Sequence, residues 1–424
     1  MADRDLYTKE QLAKIRETLK ESLGEHAKQA LDNLEHRFVP ATELPEDDLP
    51  RGTGIIRGRA GDDDEKKSTV DVEGIIHEGR LKKMLDSLDK IQDDPNQVRT
   101  MVAEILRHRD VKAFHMVTAM SKVTKDVELV NALARAIVSN KGVNPLIDGM
   151  RYATISPEAI KALAMGVAEQ GTVNHIIRAI ATSPPNLPEA EIIWAMEVMG
   201  RGSMEQMLEA IKLLSSDSPG STILATGIVN RKEVAIEPLV RALTATKDNP
   251  HATTILAVAL TKLGEVSTWV TLLEKYVSDD SDAGEILMSK LVKRSLDAPN
   301  LPKMMAKAAR FVSGDSMAGK ILAMGIVEQK DPDQMEAAYL RINHPVGKQM
   351  LAVGISNKMS SIKAMRLLGG DYFKLSKMQA VAAAATKEAQ QRYHWILLNM
   401  LDEDLEEKKP VSAKEALVKG LKAT

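Results

Sequence analysis

Apolar residues along this chain recur at spacings of three and four, and the whole pattern restarts about every 31 residues. The alanine of LAMG serves as a ruler. Ala164 in LAMGVAEQ (163–170) matches Ala323 in LAMGIVEQ (322–329), and six of the eight residues are identical. Equivalent positions fall at Ala134, Ala195, Ala225, Ala257, Met288 and Ala352, so that the steps are 30, 31, 30, 32, 31, 35 and 29 residues. Weaker copies around Ala103 and Ala384 extend the series to about ten units over positions 97–400.

Each unit opens with a helix-period apolar run and then turns polar, as in SNKG (139–142), EQGT (169–172) and EQKD (328–331). A second apolar pattern follows, such as Ile176, Ile177 and Ile180, which share one helical face. The unit therefore reads as helix–turn–helix. Ser156-Pro157, Ser218-Pro219, Asn249-Pro250 and Asp331-Pro332 have the chemistry of helix starts: a side-chain acceptor for orphan N–H groups, then a proline that forfeits no bond.

Two residues past the ruler stand Ala136, Gly166, Gly227, Ala259, Gly325 and Gly354. Glycine inside a helix costs about 1 kcal/mol relative to alanine. Its recurrence predicts a packing seam where a neighbouring helix approaches the backbone. The polar turn residues, Gln329 among them, are expected to contribute little. The 35-residue step predicts an enlarged loop at 295–303.

The ends differ from the body. Over 8–38, Leu12, Ile15, Leu19, Leu23, Leu31, Leu34 and Phe38 form one apolar stripe, the pattern of an amphipathic helix. It could pack on the repeats, pair with its own copy, or enter a partner's groove, and it is the candidate partner-binding helix. Residues 39–72, rich in Pro, Gly and charge, read as a flexible linker, with a small hairpin over 53–76 as the alternative. Helix is expected to resume at 75–91. Repeats occupy 73–400, and 401–424 read as a charged tail with a short capping helix.

Paired helices at this period resemble the short HEAT-like repeats of α-solenoids, particularly those of phycobilisome-lyase-like proteins. The resemblance covers 97–400. It implies an all-α solenoid, an architecture shared by scaffolds, lyases, hydroxylases and nucleic-acid enzymes, and so does not choose an activity.

Composition narrows the choice. The chain is 44% hydrophobic but only 3% aromatic, with 22 Met, which suits close-packed helices rather than strands. There is no Cys, which excludes disulfides and thiolate chemistry. The amino terminus is charged from the third residue, and no run has the length of a membrane span, so the expectation is cytoplasmic. A net charge of −2 gives no overall pull toward nucleic acid.

Chemistry-bearing patterns are sparse. Glu104, His108 and His115 are the best metal-like trio, without HExxH or a comparable set beside them. HEAT-like hydroxylases bind di-iron through several His-Glu pairs, whereas here one such dipeptide, His77-Glu78, lies outside the repeats. GTGIIRG (52–58) has glycines but no clear helix after it. Two basic clusters, Arg107/Arg109/Lys112 and Lys290/Lys293/Arg294, and three scattered tryptophans, Trp194, Trp269 and Trp395, are the remnants of a nucleic-acid reading. The sequence thus assigns no catalytic, cofactor or metal residues. It favours a non-catalytic scaffold with a protein partner, ahead of a lyase-like or assembly factor acting on a cofactor-bearing partner and ahead of nucleic-acid binding.

Limited trypsinolysis tests this division of the chain. The first cuts are expected near Arg51, Arg57 or Arg59, leaving a resistant 97–400 body. Early cuts inside the repeats with 39–70 protected would overturn it.

Overall fold

The computed structural model describes residues 70–401 except 216, 232–233, 298–301, 313–315 and 359–371. Every regular element among them is helical. In chain order these are α1 (Val72–Glu78), α2 (Leu81–Ser87), α3 (Pro95–Arg107), α4 (Ala113–Lys122), α5 (Val127–Ser139), α6 (Val143–Met150), α7 (Pro157–Gln170), α8 (Val173–Thr182), α9 (Pro188–Arg201), α10 (Met204–Leu213), α11 (Pro219–Val229), α12 (Ile236–Ala245), α13 (Pro250–Leu263), α14 (Val266–Lys275), α15 (Asp282–Asp297), α16 (Pro302–Ala308), α17 (Met317–Glu328), α18 (Pro332–Arg341), α19 (Pro345–Lys358) and α20 (Tyr372–Met400). The described residues form two compact units, 70–202 and 203–401. Within each, a longer odd-numbered helix packs on the next odd-numbered helix, and the even-numbered helices form the second layer. No described helix is long and apolar enough to cross a membrane.

The odd-numbered helices start where the sequence says. Ser156 accepts from the Ala159 N–H, Ser218 from Gly220, Asn249 from Ala252, and Asp331 does the same for α18 with Asp333 and Gln334. The same cap residues also tie neighbouring helices together. Asn249 Nδ2 donates to the Ser218 carbonyl at 3.2 Å, and Ser316 Oγ donates to Asp279 Oδ2 at 2.9 Å. Ser156 Oγ donates to Asn131 on α5. His344, fully buried before α19, accepts the Gly347 N–H on Nδ1 at 2.8 Å. Its Nε2 then carries the hydrogen and donates to the Ser316 carbonyl at 2.9 Å.

The opposite ends of these helices are tied as well. Gln170 Nε2 donates to the Val138 carbonyl of α5 at 3.0 Å, while its Oε1 accepts from Gly142 N–H at 3.1 Å. Arg201 donates to the Ala168 carbonyl of α7 at 2.7 Å, and Gln329 to the Ser295 carbonyl of α15 at 3.0 Å. Carbonyls in the last turn of a helix have no intrahelical partner, so the next unit supplies one. The expectation that Gln329 contributes little is therefore corrected. The shared ending of LAMGVAEQ and LAMGIVEQ is a reach-back bond made twice.

Between the two ends, the glycine row meets branched side chains. A Cβ on Gly325 would lie 2.5 Å from Val292 Cγ1, one on Gly354 would lie 2.8 Å from Val327 Cγ2, and one on Gly166 would lie 3.0 Å from Leu146 and 3.3 Å from Val138. Val138, Val292 and Val327 all stand four past their rulers. Gly227 and Ala259 are buried, and Ala136 is half-buried.

Four expectations need correction. Helix does not run through 75–91: α1 ends at Gly79, which adopts a left-handed conformation (φ 62°), and α2 begins at Leu81. The hairpin alternative fails where it can be read, because 72–76 belong to α1. Within the loop expected at 295–303, residues 295–297 form the last turn of α15, which is 16 residues long, and Pro302 opens α16; 298–301 lie outside the described residues. Ala384 does not centre a helix–turn–helix unit. It lies within α20, a single 29-residue helix packed on α15, α17 and α19.

α20 is held by ion pairs as well as by Ala382, Ala385, Ala389, Tyr393 and Ile396 on its buried face. Arg392 Nε lies 2.6 Å from Glu285 Oε2 and its NH2 nitrogen 2.9 Å from Asp282 Oδ1. The guanidinium also stacks over Trp395, 4.6 Å from the ring centre. Lys320 reaches Glu388 at 3.1 Å. Burial pushes the Glu285 carboxyl above its ordinary range despite Arg392. Burial, with Glu328 and Asp297 nearby, pushes the Tyr393 hydroxyl up to about 12.

Two predictions follow from this packing. Gly325→Leu is expected to lower unfolding free energy by about 1–3 kcal/mol or more through overpacking. Gln329→Ala is expected to cost about 1 kcal/mol by stranding the Ser295 carbonyl. Denaturant titration checks both, and two negligible shifts would refute both the seam and the reach-back bond. For Glu285 the folded state binds the proton more tightly than the unfolded chain. Its contribution is fully present below the unfolded pKa and declines as pH rises through the raised folded value. Melting curves of the chain and of Glu285→Gln should therefore diverge in favour of the glutamine variant as pH rises from below the ordinary carboxylate range through the raised one. A pH-independent difference would contradict this.

Candidate binding cleft

One cleft in the 203–401 unit has the size and chemistry of a binding site. It measures about 630 Å³ and lies where the α13–α14 turn faces α15 and α16. Its floor is built by Trp269. The indole N–H donates to the Leu260 carbonyl at 3.0 Å, and the ring is 2% exposed. Gly264 closes the turn against it, since a side chain there would stand 2.8 Å from the indole nitrogen. The walls carry Lys262, Glu265 and Ser267 from the α13–α14 turn, Lys290 and Arg294 from α15, and Met304 from α16. Lys262 and Arg294 are exposed, while Lys290 is 6% exposed and projects from the middle of α15. The lining thus carries three cationic side chains and one carboxylate, in a chain whose net charge is −2. The start of α14 also borders it, and the positive end of a helix adds to the same sign.

The sequence marked half of this site. Lys290 and Arg294 belong to the second basic cluster and both line the cleft; Lys293 is half-buried on the same helix. Trp269 was marked only as one of three scattered tryptophans; it is buried and lines the cleft. Lys262 and Gly264 carried no signal of their own, because their role depends on a turn that brings them to α15.

The other marked residues are accounted for individually. Trp194 is buried, and its N–H donates to the carbonyl of the ruler residue Ala164 at 3.2 Å. In the first basic cluster, Arg107 pairs with Glu104 at 2.8 Å and Arg109 with Asp110 at 3.6 Å. His108 binds the Gly79 carbonyl through Nε2 and the Asp110 N–H through Nδ1, and His115 Nδ1 accepts from Lys112 N–H. Burial, with Lys112 and His108 nearby, lowers the His115 pKa. The proposed metal trio is thus committed to helix caps and an ion pair. Among the described residues no group of three His, Cys, Asp or Glu side chains is arranged to hold a metal. Glu78 pairs with Lys83 at 2.7 Å, which holds its carboxyl below the usual range. The apolar stripe from Leu12 to Phe38, GTGIIRG and the 402–424 tail lie outside the described residues.

No family model, curated protein or solved structure matches the chain. Any functional reading therefore rests on the cleft and the packing around it.

Proposed function

We propose that the chain is a cytoplasmic, HEAT-like repeat scaffold of about ten units that binds a protein partner, and that an acidic segment of that partner enters the cleft at Lys262, Lys290 and Arg294. The observation behind this reading is the cleft itself. It concentrates positive charge beside a rigid tryptophan floor, in a chain with a slightly negative total. Lys290, the buried cation of the three, attracts a carboxylate more strongly than a fully solvated one would, because less water screens it. An extended acidic peptide presents carboxylates at the spacing of its side chains and needs no deep enclosure, which suits an open cleft. The architecture supports the same role. The two walls pack directly on each other, α13 and α14 on α15 and α14 on α16, which fixes the shape of the cleft.

The test uses a fluorescent Asp/Glu-rich peptide with the full chain. Binding is expected to fall about tenfold or more in Lys262→Glu/Arg294→Glu, and to weaken with added salt as Debye screening requires. Equal binding by that variant would remove the cleft from the reading. Preferential capture of a single-stranded oligonucleotide at the same residues would replace the protein partner with nucleic acid.

A further inference from the structure

The residue six past the ruler has one duty in three of the long helices. Gln170, Arg201 and Gln329 stand there, and each donates to a carbonyl in the last turn of the preceding long helix. Arg201 uses both terminal nitrogens, 2.7 Å from the Ala168 carbonyl and 3.4 Å from that of Gly171. On α15 the same register holds Arg294. Its counterpart carbonyls on α13 are those of Thr261 and Gly264, which follow Ala257 by four and seven as Ala168 and Gly171 follow Ala164. It bonds to neither. Arg294 is exposed, has no hydrogen bond or ion pair among the described residues, and lines the cleft beside Thr261 and Gly264. The last turn of α13 is served from within its own unit, by the Trp269 N–H on the Leu260 carbonyl. An arginine relieved of its helix-end duty keeps its planar fork of donors for another acceptor.

The rest of the lining selects that acceptor. Lys290 lies one turn before Arg294 on α15, and Lys262 enters from the α13–α14 turn. With Glu265 counted, the lining carries a net charge of +2. A carboxylate brings one negative charge on two oxygens, whereas a phosphate monoester brings about two on three oxygens. The guanidinium fork grips two of those oxygens side by side and leaves the third to an ammonium. At about 630 Å³ the cleft exceeds a lone phosphoryl group and has the size of a pocket for a larger ligand. Val266 and Met304 add apolar wall for residues flanking the phosphoryl group. The Trp269 ring is 2% exposed and offers no face for a nucleobase to stack on, so the carrier is a peptide.

We infer that the cleft is built for a phosphoserine or phosphothreonine in the partner's acidic segment, with Arg294 as its bidentate anchor and Lys262 and Lys290 as the supporting charges. This rests on the acidic-peptide reading of the cleft and adds regulation to it: phosphorylation of the partner sets the affinity.

Three peptides titrated into the full chain test the inference. They share one Asp/Glu-rich sequence and carry serine, glutamate or phosphoserine at the centre. The phosphoserine form is expected to bind about tenfold tighter than either of the others, the worth of one further charge-assisted bond. Arg294→Lys keeps the charge and loses the fork. It is expected to remove most of that advantage while the serine peptide stays within about twofold. The advantage also declines as pH falls through about 6, where the phosphate regains its second proton. An advantage that survives Arg294→Lys overturns the anchor. Equal binding of the phosphoserine and glutamate forms, with both lost in Lys262→Glu/Arg294→Glu, overturns the phosphate assignment and leaves the acidic-peptide reading standing. Binding of all three forms unchanged in that double variant overturns both. Inorganic phosphate competing at the peptide's own concentration would make this a free-phosphate site. A single-stranded oligonucleotide that outcompetes the phosphopeptide would make it a nucleic-acid site. Either result overturns the inference.

Discussion

The odd-numbered helices are apolar around most of their circumference, and every side of such a helix must meet something other than water. This constraint organises the rest. Side-to-side contact between successive odd-numbered helices demands a glycine or alanine opposite each branched valine, which is why Val292 sits over Gly325 and Val327 over Gly354. Contact beneath demands an amphipathic second layer, which the even-numbered helices supply. Contact above demands a long helix crossing several units, which α20 supplies for α15, α17 and α19. The helix ends are tied between neighbouring units as well, by Asn249, Ser316 and His344 at one end and by Gln170, Arg201 and Gln329 at the other.

Much of this was legible in the sequence, because it recurs. The 31-residue period, the Ser/Asn-Pro helix starts and the Ala-x-Gly row are each repeated, and repetition separates a signal from an accident of composition. Features that occur once were not legible. α20 carries the apolar spacing of another unit around Ala384, yet its polar turn is missing, and only packing shows that it crosses the others. Gly79 breaks a helix that the apolar spacing alone joins. Gln329 was visible in the echo but was assigned to the turn because of its polarity. A glutamine at a helix end can point outward or reach back, and the distinction depends on a carbonyl 34 residues earlier in the chain. The cleft was half legible for the same reason: charge clusters along one helix can be read, whereas the tryptophan floor and Lys262 are brought to it by tertiary structure.

The cleft and the α20 cover are two consequences of one architecture. Where a turn between paired helices cannot fill the space beside the next long helix, a concave site forms, and its walls are as rigid as the helices behind them. On the outward face of α15, α17 and α19, one long helix, α20, supplies the cover. Interior units thus hold the structure together, while the edges and ends of the chain are left to determine what it meets.

The two sets of interhelix bonds also differ from the links in the even-numbered layer. The ends of the odd-numbered helices are joined by direct bonds to backbone carbonyls or to buried cap groups. Within the 203–401 unit, α10 and α12 are instead joined by Arg241 and Glu205, a surface pair with two 2.9 Å contacts on long side chains. The first kind of link has little slack and is indifferent to salt; the second stretches and is screened by ions. Under load, a unit built this way has a stiff edge and a compliant one. It bends more readily by opening the spaces between its even-numbered helices, and added salt loosens the Arg241–Glu205 link on that side.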